Sequence, residues 1–266
     1  MKRKINRIRL FPNSDNNSKK VAEILKKELL ANHFMIVKDD YELAISIGGD
    51  GSFLRMVKQN NFKDDIYYIG VNAGTLGFLQ EIDINNTLNF VEKLNCNDFK
   101  IEELSIQKTK IITDTKTYKY NSLNEIVVRK SDFSLFQTPL YIDNELLENF
   151  AGDGLLLSTS TGSTAYNMSF GGSIIYNTLK TLIITPIAPL NNRAYRTLMN
   201  SLVVPDDKII SLNFDNKENL FFMIDGKNIF LSNVIKVESK IDKKKIKCLR
   251  MQEFHFIKVI NSKILK

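Results

Sequence analysis

Asp50 stands among glycines in Ile47-Gly48-Gly49-Asp50-Gly51-Ser52, between a short apolar run and residues at helical spacing. Backbone N–H groups at the start of a helix attract phosphate, and glycines let an anion approach closely. A carboxylate within such a loop repels phosphate, so it points to a task of its own: accepting a hydroxyl proton or holding a metal. The competing reading is a tight turn in which Asp50 only caps the helix. Two common phosphate loops do not fit. The dinucleotide fingerprint fails because Leu54 stands where its third glycine belongs, and no GxxxxGK[ST] occurs.

Three further segments carry polar chemistry. Gly70-Val71-Asn72-Ala73-Gly74-Thr75-Leu76-Gly77-Phe78-Leu79 follows an apolar run, which places a glycine-rich loop at the end of a strand, where ligands of open α/β sheets collect. Asn124-Glu125 supplies an amide beside a carboxylate, a donor and acceptor pair suited to ribose hydroxyls or an adenine edge. Gly152-Asp153-Gly154 leads through an apolar strand into a hydroxyl-rich run ending in Thr164-Ala165-Tyr166-Asn167-Met168-Ser169. There Tyr166 offers a ring to stack on a base, and Thr161 and Ser169 offer hydroxyls to phosphate or ribose. Taken singly, each of these segments also reads as an ordinary surface loop.

Together, in this order and spacing, and with Thr-Pro-Ile-Ala-Pro-Leu-Asn-Asn-Arg-Ala-Tyr-Arg-Thr-Leu at 185–198, they resemble the NAD kinase family over most of the chain. The resemblance implies ATP-dependent phosphorylation of NAD at the 2′-hydroxyl of the adenosine ribose, giving NADP. It assigns Asp50 as the proton acceptor, with Gly51 and Arg55 beside the nucleotide. Asn124 and Glu125 then hold the adenosine half and Asp153 approaches the nicotinamide end. Thr164 to Ser169 (Ala165, Tyr166, Asn167 and Met168 among them) line the adenine and ribose pocket, Thr161 belongs to the same substrate-binding set, and Ala188 touches the ligand. Ala151 is included at the site although family members often carry a basic residue there, and Lys227 follows Asp225-Gly226 where an amide or histidine is common. Lipid and sugar kinases share the GGDG loop, so a kinase of that kind is the alternative enzyme; a non-catalytic nucleotide sensor is the alternative from another class.

The elements that must position these residues divide the chain in two. Residues 1–98 alternate strand and helix signals: strands at Ile5–Phe11, Leu43–Ile47 and Tyr67–Val71, with helices after Ser18, around Phe53–Val57 and at Thr87–Leu94. Asn17 or Ser18 is expected to cap the first helix. That pattern predicts an α/β nucleotide-binding domain with a parallel sheet. Residues 99–251 are dominated by short β-type segments, which predict an antiparallel, sandwich-like all-β domain. Residues 252–266, with Phe254, Ile257, Ile260 and Ile264 at helical spacing, predict a closing helix that returns to the first domain. The run Lys243–Lys245 reads as a solvated hairpin tip.

Composition limits the function. With 43% hydrophobic and 25% charged residues the 266-residue chain is globular, and a net charge of +7 suits an anionic ligand. No apolar run approaches the ~18 residues of a spanning helix, and MKRKINRIRLF lacks the apolar core of a secretory signal. Two cysteines and two histidines predict neither a disulfide framework nor a protein-held metal, and a reducing cytoplasm suits them. Mg²⁺ or another divalent cation is therefore expected to arrive with ATP. No nucleic-acid or membrane partner is expected, and by family resemblance the chain is a homo-oligomer, dimer or tetramer.

Overall fold

Leu43–Gly48 consists of residues that are all buried, and so does Tyr67–Asn72. Strands hidden on both faces need helices above and below, which is the situation of a parallel sheet. A computed structural model describes residues 4–74, 77–252 and 254–265 and divides into two units, Met1–Leu104 with Lys245–Lys266 and Ser105–Lys244.

In the first unit the elements run β1 (Arg7–Pro12), α1 (Asn16–Ala31), β2 (Met35–Ile36), β3 (Leu43–Gly48), α2 (Asp50–Gln59), β4 (Tyr67–Asn72) and α3 (Thr87–Asn95). The strands are parallel, in the order β2-β1-β3-β4. Beyond β4 the sheet gains Lys247 and Cys248, which pair in parallel with Tyr67 and Tyr68. Val21, Leu25 and Leu29 of α1 and Phe90, Val91 and Leu94 of α3 bury on one cluster with Ile45, Ile69 and Leu249. The cap of α1 is Asp15, whose carboxylate accepts the Ser18 N–H at 2.8 Å, rather than Asn17 or Ser18. Asp15 wins because its side chain precedes the first helical residue and also takes the Ser18 hydroxyl.

The second unit is antiparallel, built from β5 (Lys100–Thr113, from Ser105 onward), β6 (Thr117–Ser122), β7 (Glu125–Lys130), β8 (Phe136–Ile142), β9 (Glu145–Gly152), β10 (Gly154–Thr159), β11 (Thr181–Ile187), β12 (Leu202–Pro205), β13 (Ile210–Ile224) and β14 (Lys227–Arg250, up to Lys244). Its main path is β12-β11-β10-β7-β13-β14, with the β8–β9 hairpin on β13 and β6 on β5. Lys243–Lys245 lies inside β14, not at a hairpin tip; just before it, Asp242 pairs with Lys108 at 2.7 Å and accepts the backbone N–H groups of Lys243 and Lys244. Pro186 sits within β11 without breaking it. Its register partner is Leu155 on β10, and β12 leaves β11 after Ile184, so the missing N–H falls where no strand needs it.

After β14 the chain forms a helix α5 (Phe256–Ile260; α4 is the single turn Tyr166–Ser169). Phe256 is the buried residue there and Ile257 is exposed, a face rotated from the one that the Phe254–Ile257–Ile260 spacing predicts. Among the described residues no helix is long and apolar enough to cross a membrane.

Candidate active site

In the first unit, β3 delivers the chain to the GGDG loop and α2 begins at Asp50, so the aspartate sits at the positive end of a ten-residue helix. Its carboxylate does not cap that helix. Both oxygens turn to the glycine-rich loop after β4: the Phe78 N–H donates to Oδ2 at 2.8 Å and the Leu79 N–H to Oδ1 at 2.9 Å. Gly77 leaves the space for this seat, since a Cβ there would overlap the Asp50 carboxylate. Each oxygen keeps lone-pair capacity for a further hydrogen bond. Gly51 is open, with nothing within 4 Å of an added Cβ, and Arg55 is exposed, donating to Asn13 Oδ1 at 2.9 Å. The loop ahead of Gly77 is held by Asn72, whose amide donates to the Gly74 carbonyl at 2.6 Å while its oxygen accepts the Gly74 N–H at 2.9 Å. Thr75 and Leu76 of this motif lie outside the described residues.

The second unit gathers a different set. The turn before β7 is organised by Asp225, at the tip of the β13–β14 hairpin. Its carboxylate accepts the N–H groups of Leu123 at 2.7 Å, Asn124 at 2.9 Å and Glu125 at 3.3 Å. Asp225 and Gly226 both have positive φ, as a two-residue hairpin turn requires. From the other side, the Thr159 hydroxyl donates to the Leu123 carbonyl at 2.6 Å and Ser158 Oγ to the Asn124 carbonyl at 3.1 Å. Gly162 packs against this turn so closely that a Cβ would strike the Asn124 carbonyl.

The result is a buried polar cluster with unused capacity. Asn124 Oδ1, Glu125 Oε2 and Thr161 Oγ1 are buried atoms with no hydrogen-bond partner among the described residues. Burial pushes the Glu125 carboxyl up to about 8, and the nearby Asp225 carboxylate pushes the same way; the Tyr166 N–H opposes them. Near neutral pH Glu125 is thus a carboxylic acid that can both donate and accept. Tyr166 is 39% exposed, its ring packed edge-to-face with that of Phe170 at a centroid distance of 4.7 Å. Met168 and Ser169 are exposed, Ala165 is half-buried and Thr164 is buried.

Asn167 is different. It is fully buried and its amide is spent within the fold, donating to the carbonyls of Ser163 and Ser173 and accepting the Thr185 hydroxyl at 2.5 Å. It holds the turn that presents Tyr166. Ala151, Asp153 and Ala188 form a second group at the opposite end of β10. The Asp153 N–H donates to the Ile187 carbonyl at 2.9 Å, the Leu190 N–H to that of Ala151 at 2.8 Å, and Ala188 takes a positive φ. Since Glu125 faces Ser158 in register, five residues of strand, about 16 Å at ~3.3 Å each, separate this group from the Asn124 turn.

Sequence reasoning missed Asp225 and the N–H donors of Phe78 and Leu79. The only signal for Asp225 is its Asp-Gly dipeptide, which reads as a turn. Among the described residues no group of three or more His, Cys, Asp or Glu side chains is placed to hold a metal ion.

Comparisons with known proteins agree with one another. The family described as ATP-NAD kinase N-terminal domain matches residues 11–99, and the ATP-NAD kinase C-terminal domain matches residues 123–246. A relative named NAD kinase from Finegoldia magna is 42% identical over 237 residues, 85% of this chain and 86% of its own length. One of the same name from Lactobacillus acidophilus is 34% identical, covering 92% of this chain and 91% of its own. Among solved structures, yeast NADH kinase complexed with NADH superposes with a TM-score of 0.83 over 99% of this chain and 88% of that one, at 18% identity, which speaks for the fold.

Proposed function

The chain belongs to the NAD kinase family, and from that premise we propose how its residues divide the phosphorylation of NAD by ATP, with NADP as product. Asp50 is the general base. It accepts the proton of the adenosine 2′-hydroxyl as that oxygen attacks the γ-phosphorus in line, and the nucleoside diphosphate leaves. The two backbone N–H groups on its carboxylate hold it in one orientation. The start of α2 favours the phosphate charge close to it, with Gly51 giving open approach and Arg55 an exposed cation.

The second unit binds NAD. Asn124 and Glu125 take the adenosine half, with Thr161 and Tyr166 beside them, while Thr164, Ala165, Met168 and Ser169 line the pocket and Asn167 supports it. Ala151, Asp153 and Ala188 meet the nicotinamide end, a separation on the scale of an extended dinucleotide. The observation that carries this reading is the trio of buried polar atoms without partners, Asn124 Oδ1, Glu125 Oε2 and Thr161 Oγ1. Leaving such atoms unpaired costs about 1–3 kcal/mol each, which a hydroxyl- and amine-bearing ligand recovers.

Mg²⁺ fits as a partner of the ATP phosphates rather than of a protein cage, because Asp50 already accepts two backbone N–H groups and, among the described residues, carboxylates do not cluster beside it. When bound it neutralises charge on the transferred phosphoryl group. The enzyme acts in the cytoplasm as a homo-oligomer, dimer or tetramer, without nucleic acid. A coupled assay of purified protein with NAD, ATP and Mg²⁺, run beside diacylglycerol, sphingosine and sugar acceptors, tests the reading. NADP formation supports it; turnover of another acceptor in place of NAD, or none at all, refutes it.

A further inference from the structure

Gln80 follows Phe78 and Leu79 directly and is 2% exposed. Its Nε2 donates to the Gly49 carbonyl at 2.7 Å and to Ser46 Oγ at 3.3 Å; the Ser46 hydroxyl lies 3.4 Å from Oε1. Ser46 on β3 and Gly70 on β4 are register partners, and the carboxamide lies against that pair so tightly that a Cβ at Gly70 would strike it. The Gly49 carbonyl belongs to the peptide that leads into Asp50, and it also accepts the Ser52 N–H at 2.9 Å, opening α2.

Three successive residues therefore hold Asp50 from both ends. Phe78 and Leu79 take its carboxylate, and Gln80 takes the peptide plane on its N-terminal side. We propose that Gln80 is a positioning residue for the phosphoryl transfer: by fixing the Gly49–Asp50 peptide, its carboxamide keeps the Asp50 carboxylate aimed at the acceptor hydroxyl. The proposal rests on Asp50 acting as the base. The amide chemistry is specific, because the site needs a donor toward a carbonyl; a carboxylate lacks that donor and a thioether lacks any. Displacing a catalytic group by about 1 Å costs on the order of a hundredfold in rate.

The test compares wild type, Gln80→Met and Gln80→Glu, each shown to be folded by circular dichroism, in the NAD and ATP assay. Both variants are expected to lose kcat by about 10–100-fold while KM for NAD and ATP stays within about twofold. A residue that only stabilises the fold would lower the unfolding temperature and leave kcat per folded molecule unchanged. Unchanged kcat in Gln80→Met, or a KM rise matching the kcat loss, overturns the proposal. If Gln80→Met yields no folded protein, Ser46→Ala decides: it deletes one buried oxygen, and is expected to lower kcat alone by about 2–10-fold as the carboxamide loosens, whereas wild-type kcat there overturns the proposal. Failure of the wild type to make NADP strikes the functional reading instead, and retained turnover in Asp50→Asn strikes the base assignment; neither outcome resembles a Gln80 defect.

Discussion

Replacing Asp50 with asparagine keeps the side chain's size and removes both its charge and its basicity. In the native site the two carboxylate oxygens accept the Phe78 and Leu79 N–H groups at 2.8 and 2.9 Å. An amide has one oxygen and one NH₂, so one of those donors must then face another donor. Leaving that N–H unpaired costs about 1–3 kcal/mol of stability. The loss of a general base is separate and larger, about 10²–10⁴-fold in rate, or roughly 3–5 kcal/mol at the transition state. The two effects appear in different measurements. Denaturant unfolding reads the first; kcat on folded protein, with NADP detected by an NADP-specific dehydrogenase, reads the second. We expect near-normal NAD affinity by calorimetry, a modest stability loss and turnover down at least a hundredfold, the lower end for a lost base. A folded Asp50→Asn variant with wild-type kcat would refute the reasoning and leave Asp50 as a strut for the loop after β4.

Asn124→Ala should weaken NAD binding by about 1–3 kcal/mol, roughly 5–150-fold in Kd. Because its Oδ1 lacks a partner among the described residues, the stability of the free protein should hold or rise; calorimetry showing unchanged affinity would place NAD elsewhere. The Glu125 carboxyl, raised from an ordinary value of 4.5 to about 8, keeps a proton that the unfolded chain releases. Its contribution is therefore full below about pH 4.5 and is lost as pH rises toward and through 8. Urea unfolding of the free protein at several pH values should show this decline, and Glu125→Gln should flatten it; an equal decline in the variant rules Glu125 out as the source. Dialysis against a chelator followed by metal analysis should leave no bound cation, and activity should return in full with Mg²⁺ and ATP. A metal that survives dialysis contradicts delivery with the nucleotide.

The GGDG loop is readable in the sequence because an apolar run precedes it and Phe53, Met56 and Val57 follow at helical spacing, and both patterns survive in β3 and α2. What Asp50 bonds to is not readable: its partners are backbone N–H groups 28 and 29 residues away, whose amino-acid types carry no signal. Asp225 hides for the same reason, since it serves backbone groups about a hundred residues upstream. The strand β11 escapes local reading because Pro186 argues against it, and only the sheet's outline, with β12 ending beside Ile184, makes a proline harmless there. Asn167 reads as a ligand contact from its neighbours; its three partners within the fold, from Ser163 to Thr185, are not legible there.

The closing stretch of β14 ties catalysis to the order of synthesis. On the side away from β3, Tyr67 and Tyr68 pair with Lys247 and Cys248, and Glu81, next to Gln80, closes on Arg250 at 3.2 Å and on the Met251 N–H, 170 residues downstream. Arg250 is also bonded to Glu102 at 2.5 Å, so this buried charge cluster cannot form without it. At about 5–20 residues per second a ribosome needs roughly 10–30 s to cover that span. During that interval β4 is a bare edge, and the segment offering its N–H groups to Asp50 lacks its anchor. The half of the enzyme made first is thus finished last. A nascent chain carries the GGDG loop before the segment next to its N–H donors, at Glu81, has met Arg250 and Met251.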